Sequence, residues 1–183
     1  MAGDSKQTQQ WGGADVYIGA DGLAGPTTLT GNWPAGFSAV GLLDGEEGFT
    51  EAREGDTNES YAWGGILFRR TTSKHKRTFT FTMLEDNAVT FGLINPGSTR
   101  TTASGVRTSV VKVPQNLNFS VGFELRDGSR VKRRSIKSAT VQEVSEIKES
   151  ETDPTVYAVT VVIFPESDGT LYRTVETDPT ATV

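Results

Sequence analysis

Few residues in this sequence could do chemistry. His75 is the only histidine and there is no cysteine, so disulfides, zinc–thiolate sites and thiol catalysis are excluded. His75 lies between Lys74 and Lys76, whose charges disfavour a proton on its ring. No serine–histidine–carboxylate arrangement is easily built around it. We therefore expect a protein without catalytic residues, not an enzyme.

Three short motifs could in principle bind a ligand. Asp44-x-Glu46 and Asp56-x-Asn58 are similar to parts of calcium loops, but both lack the required glycine and the terminal glutamate. The glycine-rich stretch 19–25 does not have the spacing of a dinucleotide-binding loop, and Pro26 follows it. The sequence thus predicts no metal and no cofactor.

Charge is distributed unevenly along the chain. The net charge is −5, which disfavours nucleic-acid binding by the protein as a whole. Acidic residues cluster in 44–59, whereas 69–77 and 130–137 are basic. Segregation of this kind predicts complementary patches that meet between copies of the chain; the alternative is solvated loops and strand faces.

The elements that must position these groups are mainly strands. Apolar residues alternate with polar ones in 78–83 and 118–126, and 156–164 is apolar on both faces, as in a central strand. We predict about ten strands and one short helix, about 85–94, which the sequence Asn95-Pro96-Gly97 terminates.

The domain organisation follows from the segments that lack this periodicity. We predict an N-terminal arm over 1–13, a single β domain over 14–176 and a C-terminal tail over 177–183. Within the domain, glycine and charge in 44–58 predict a long acidic loop, and a basic hairpin is expected to turn near His75. The polar N-terminus predicts no secretion signal, and no segment is long and apolar enough to predict a membrane span.

The turn at Arg126-Asp127-Gly128 leaves two registers open. A two-residue loop would place basic side chains of the second strand on the apolar face, beside Phe123. A three-residue loop with Gly128 in the bulge position would place them on the polar face. Because buried unpaired charges are costly, we predict the second register, with Arg130, Lys132 and Arg134 forming a polar stripe. That stripe lacks interleaved aromatic residues, so an acidic protein surface is its expected partner.

One passage resembles a known family. Gly41-Leu-Leu-Asp-Gly-Glu-Glu-Gly-Phe-Thr-Glu51 is followed by Ser60-Tyr-Ala-Trp63 and then by Phe79-Thr-Phe-Thr-Met-Leu-Glu85. Their order and spacing resemble the major tail proteins, or tail tube proteins, of siphophages, the phages with long non-contractile tails, especially those of actinobacteria. The resemblance covers about residues 14–97.

The resemblance implies a tail-tube fold: two packed antiparallel sheets, like a sandwich or barrel, with one short flanking helix, a long loop and terminal arms. It implies hexameric rings that stack into a tube and conduct DNA during genome ejection. Partners would be other copies, tape measure protein and double-stranded DNA in the lumen without specific binding, and tail terminator and tail tip proteins. The protein would be part of the virion tail, assembled in the host cytoplasm.

In that family the long loop reaches adjacent subunits, which implies contact residues here. The expected contacts between subunits or rings are Asp44, Glu46, Glu47, Phe49, Glu51, Arg53, Glu54, Asp56, Tyr61, Trp63, Arg69, Arg70, Lys74, Lys76, Arg77, Arg130, Lys132 and Arg134. Because Lys and Arg in the channel would bind DNA phosphates, we expect a lumen of net negative potential. Two alternatives remain at this point: another tail β-protein (terminator, baseplate or decoration), and a carbohydrate-binding β-sandwich module.

Overall fold

The computed structural model describes residues 7–178. In this range the chain forms one helix, α1 (Ala88–Ile94), and ten strands, which confirms the prediction of a mainly β fold. The strands are β1 (Gly13–Ala20), β2 (Ser38–Ala39), β3 (Thr50–Ala62), β4 (Ile66–Met83), β5 (Thr99–Ala103), β6 (Val106–Val110), β7 (Phe119–Asp127), β8 (Arg130–Val144), β9 (Tyr157–Ile163) and β10 (Arg173–Glu176).

Every strand pair is antiparallel, and the large sheet folds over on itself. Its order is β2-β1-β7-β8-β9-β4-β3, with β10 paired to β8, while β5 and β6 form a separate two-stranded sheet. In a flat sheet β7 and β4 would lie about 14 Å apart, yet the ring of Phe123 is 5.1 Å from that of Phe79. The sheet bends along β8, where the pairing register shifts against both β7 and β9.

The core lies between the two halves of this folded sheet. β1 and β7 contribute Val16, Val121 and Phe123, and β4 contributes Phe79 and Phe81, all almost fully buried. The alternating residues Val159, Val161 and Ile163 of β9 fill the space beside them. As its composition predicted, β9 is a central strand, with β8 on one side and β4 on the other.

Helix α1 packs on the edge of the core and starts later than the sequence indicated. The side chain of Asn87 accepts hydrogen bonds from the backbone N–H groups of Val89 and Thr90, which satisfies donors that a helix leaves free at its start. Residues 85 and 86 therefore precede the helix. Leu93 turns into the core, and the turn at Gly97, with a φ of 87°, follows the helix.

The prediction of a long loop over 44–58 is wrong for most of that segment. Residues 50–62 form β3, which pairs with β4 along almost its whole length, from Thr50 opposite Thr80 to Ala62 opposite Ile66. The hairpin therefore turns at 63–65, and His75 lies within β4 instead of at a tip. Charged residues form these strands because a two-stranded ribbon exposed on both faces needs no apolar face.

The preferred register of the β7–β8 hairpin is also wrong. The turn is Gly128-Ser129, so Asp127 pairs with Arg130 and Phe123 with Arg134. Lys132 and Arg134 consequently lie on the same face as Leu125 and Phe123, not on a polar stripe.

The predicted terminal arms lie partly outside the described residues. Of the N-terminal arm, residues 7–10 and 12 are exposed and Trp11 is half-buried; the backbone N–H of Gly12 donates to the carbonyl oxygen of Arg126 just before β1 begins. Of the C-terminal tail, Thr177 bonds to Val131. Residues 1–6 and 179–183 are outside the described range.

Candidate assembly surfaces

The β3–β4 hairpin extends well beyond the body of the protein. We call residues 55–75 the hairpin arm; every residue in it is exposed except Ser60, which is half-buried. The arm begins at a β-bulge, where Lys74 and His75 lie opposite Gly55 and Lys74 takes a φ of 55°. From the bulge at Gly55 to the end of β3 at Ala62 it extends about 25 Å at the usual rise of a strand.

Acidic and basic side chains pair across the hairpin within one copy. Asp56 lies 2.8 Å from Lys74, Glu54 3.4 Å from Lys76, and Glu59 3.5 Å from Arg70. Each exposed pair contributes at most about 1 kcal/mol, but together they fix the register of a strand pair that lacks a core. The complementary segments of the sequence therefore meet inside the subunit.

The tip of the arm is apolar and uncovered. Trp63 is fully exposed at 102%, and Tyr61, Ile66, Leu67 and Phe68 are exposed around it. Gly64 and Gly65 both adopt positive φ angles, 87° and 78°, and form the turn that presents these side chains. The Tyr61 hydroxyl donates a 2.5 Å hydrogen bond to Glu59, and this bond raises the pKa of Tyr61. The sequence indicated Tyr61 and Trp63 as contacts but not the three apolar residues after the turn.

At the base of the arm, several predicted contact residues turn inward instead. Glu51 accepts a 3.0 Å hydrogen bond from Arg77 and lies 3.4 Å from Arg134. The Arg134 guanidinium stacks over Tyr172 at 4.8 Å. Phe49 packs edge-on against Phe123, with 5.0 Å between ring centroids. These side chains hold the hairpin onto the body.

The remaining predicted contact residues are distributed over the surface. Asp44 caps a turn by accepting from the backbone N–H of Glu46, and Glu47 is exposed beside them. Lys132 lies 3.0 Å from Glu176 on β10, and Arg130 donates to the carbonyl oxygen of Thr8. Arg53 lies 3.4 Å from Glu51. Within residues 7–178, Arg69 has no ion-pair partner.

A buried ion pair was missed by sequence reasoning. Glu124 and Arg133 are 3% and 6% exposed, and Oε2 of Glu124 lies 2.9 Å from Nε of Arg133. This contact is not aligned as a hydrogen bond, but Trp33 donates one of 2.6 Å to the same oxygen. Arg133 also donates to the carbonyl oxygen of Gly31 at 2.7 Å, so the pair fastens the segment around Trp33 to the sheet. Burial, with the nearby Glu124 charge, raises the pKa of Tyr17, which stacks on Trp33.

A second surface is concave. An apolar cleft of about 730 Å³ opens beside α1, and we call it the helix cleft. Gly92 lies on its wall with nothing within 4 Å of a Cβ built there. Its apolar lining includes Ile18, Val89, Leu93, Ile94, Leu117 and Val141.

Unpaired strand edges make a third kind of surface. β3 pairs only with β4, and β5 and β6 pair only with each other. Val106 and Val110 of β6 are exposed, as are Val111 and Val113 beyond it. Free edges with apolar side chains are sites where another chain adds a strand.

The described residues offer no metal site. No group of three or more histidine, cysteine or acidic side chains in 7–178 is placed to hold an ion. The one helix of the described residues, α1, is not long and apolar enough to cross a membrane.

Free strand edges and a projecting apolar arm are features through which proteins associate with other chains. The family comparison agrees: residues 1–183 match the model of the phage tail tube proteins, and the chain belongs to that family. It is thus a virion component.

Three solved structures are similar to this chain at low sequence identity. The tube complex of an extracellular contractile injection system, the PVC sheath-tube complex in the extended state, is 12% identical with a TM-score of 0.48, over 90% of this chain and 87% of that one. The tube-terminating cap of the anti-feeding prophage is 12% identical with a TM-score of 0.47, over 90% and 88%. The PVC sheath/tube terminator is also 12% identical with a TM-score of 0.47, over 96% and 100%. No curated protein matches the sequence.

Proposed function

We propose that this protein is the major tail tube subunit of a long-tailed phage, in which hexameric rings stack into the tube that conducts DNA during genome ejection. The observation that carries the proposal is the hairpin arm, whose apolar tip is uncovered in a single copy. A tip of five large exposed side chains is typical of an interaction surface. Membership of the tail tube family supports the same assignment.

Free strand edges support ring formation. A subunit that pairs its outer strands with those of its neighbours removes edges that otherwise invite aggregation. A closed ring leaves no such edge, and rings that stack through a different surface grow into a tube. We assign ring closure to strand edges and contact between subunits or rings to the hairpin arm.

The partners follow from this role. The lumen holds double-stranded DNA and the tape measure protein without specific binding, and the tube ends meet tail terminator and tail tip proteins. Assembly takes place in the host cytoplasm. The motif from Gly41 to Glu85 favours a long non-contractile tail.

Electron microscopy of the purified protein tests this function. Rings or tubes of six-fold symmetry are the expected result, whereas a monodisperse monomer at high concentration, even after seeding with tail tips, would overturn the proposal.

A shortened arm makes the test specific. Asp56 and Ser73 are cross-strand partners, so residues 57–72 can be replaced by Asn-Gly, which forms a two-residue hairpin turn. This variant should keep the fold, by circular dichroism, and lose assembly. The matched control changes the turn of the β5–β6 hairpin, Ser104-Gly105, to Asn-Gly, which should leave assembly unchanged. Tubes from the shortened variant would show that the arm has no role in assembly.

The charge of the lumen is a separate proposal. DNA slides through a channel without binding when the wall repels phosphates, and the net charge of −5 is compatible with such a wall. A tube structure with a basic lumen would contradict it.

A further inference from the structure

We propose that the apolar tip of the hairpin arm docks into the helix cleft of a second copy of this chain. The inference rests on the proposed function, because it identifies the receptor surface for the arm during assembly. It joins two surfaces that the single chain leaves uncovered.

The tip has the properties of an anchor. Trp63 is 102% exposed, and Ile66 and Phe68 are 67% and 66% exposed. Removal of apolar side chains of this size from water favours association. Because these side chains are exposed in the single copy, none of them packs against the cleft of its own chain.

The cleft has the properties of a receptor. Its volume of about 730 Å³ is within the range of pockets that enclose large apolar groups. Ala88 and Gly92 are small residues one helical turn apart on its wall, and the space above Gly92 is open. An aromatic ring can therefore approach the helix backbone closely.

Charge on the two surfaces is complementary. Arg69, near the tip, has no ion-pair partner in residues 7–178. Glu143 lies on the wall of the cleft and is likewise without one in that range. The segment that follows it carries Glu146, Glu149 and Glu151 with Lys148, so the single unpaired arginine of the arm approaches a net acidic segment.

The geometry also fits a repeating assembly. Tip and cleft are different surfaces, so each copy can give its tip to one neighbour and receive the tip of another. A contact of this heterologous kind generates rings or open stacks rather than isolated dimers.

Cysteine cross-linking tests the contact directly, because the chain has no native cysteine. Copies with Ala62→Cys, an exposed position that leaves Trp63 intact, are mixed with copies with Gly92→Cys and oxidised. We expect a disulfide-linked pair at a rate at least about tenfold above that of Ala62→Cys mixed with Ser129→Cys, because docking raises the local concentration of the thiols. Ser129 is exposed in the β7–β8 turn and serves as the control.

Filling the cleft gives an independent test. Gly92→Phe meets no atom of its own chain at Cβ and raises helix propensity, so the thermal midpoint should not fall. Assembly should be lost, whereas Gly92→Ala should assemble within about twofold of the original protein.

The outcomes separate the two proposals. Tubes without the specific cross-link, or tubes from Gly92→Phe, overturn the docking and leave the tube function intact. The specific cross-link in a protein that never forms tubes supports the docking and overturns the tube function. Absence of both cross-link and tubes overturns both.

Discussion

At the scale of the residue, two positions of the family-like motif meet in space. Gly41 has a φ of 93°, and a Cβ there would lie 2.4 Å from the carboxylate of Glu85. That carboxylate accepts a 2.8 Å hydrogen bond from the backbone N–H of Leu42. Gly41 and Glu85 are 44 residues apart, and their contact closes the segment before β3 against the end of β4.

Gly41→Ala should destabilise the protein by about 1–3 kcal/mol, because the alanine both strains the left-handed backbone and displaces Glu85. The measurement is urea unfolding followed by circular dichroism. Gly45→Ala, at a position with open space and no positive φ, is the matched control and should change stability by less than about 0.5 kcal/mol. Equal effects would show that the Gly41–Glu85 contact is not structural.

Removal of the buried charge at Glu124 should be still more damaging. Glu124→Gln leaves Arg133 charged and buried without its carboxylate, which costs about 3 kcal/mol or more. Glu54→Gln removes an exposed partner of Lys76 and should cost less than about 1 kcal/mol. The midpoints of chemical unfolding compare them, and a Glu124 variant as stable as the Glu54 variant would contradict the importance of the buried pair.

At the scale of the element, apolar alternation located the strands that surround the core. Phe79, Phe81 and Phe123 all point inward as the pattern predicts. The same criterion could not locate β3, because the strand is held by pairing with β4 and by cross-strand ion pairs instead of by burial. Its glycine and charge content is typical of loops, and only the distant basic partner makes it a strand.

The β7–β8 register was not predictable for a related reason. Local sequence indicated that a two-residue turn would place an unpaired basic side chain, that of Lys132, opposite Phe123. In the structure the residue opposite Phe123 is Arg134, and it is paired. The partner is Glu51, more than 80 residues earlier, together with the rings of Phe79 and Tyr172. Long-range contacts thus make acceptable a register that the hairpin alone disfavours.

The segment that leads into β10 should make stability depend on acid pH. Hydrogen bonds from Arg173 and then Lys137 lower the pKa of Glu166 below its ordinary value of 4.5. The folded state therefore binds this proton less tightly than the unfolded state, so the stabilisation is present above the ordinary value and is lost as the pH falls through the lowered one. Thermal midpoints of the original protein and Glu166→Gln should differ at pH 7 and converge in acid. A constant difference across this range would exclude the mechanism.

At the scale of the whole molecule, the surfaces available for association are mainly apolar. The opposite charges that the sequence indicated for contacts between copies are largely neutralised by pairing within the β3–β4 hairpin. The identity of the fold class could be predicted from the sequence, but this internal pairing could not, because composition does not distinguish contacts within a chain from contacts between chains.

Assembly should therefore respond to temperature more than to salt. Burial of apolar surface strengthens on warming near room temperature, so the concentration needed for tube formation should fall between 5 and 30 °C. Sodium chloride up to about 0.5 M should change that concentration by less than about threefold, since few unpaired charges are available to be screened. Light scattering measures both dependences, and dissolution by moderate salt would indicate electrostatic contacts instead.

The cross-strand pairing of the arm has a consequence for the speed of growth. A contact segment that is disordered before binding loses part of its binding free energy to ordering. This arm is already a strand pair anchored at its base by Glu51, Arg77 and Arg134. An arriving subunit consequently has little conformational entropy left to lose, and its capture is limited by orientation and diffusion instead of by folding.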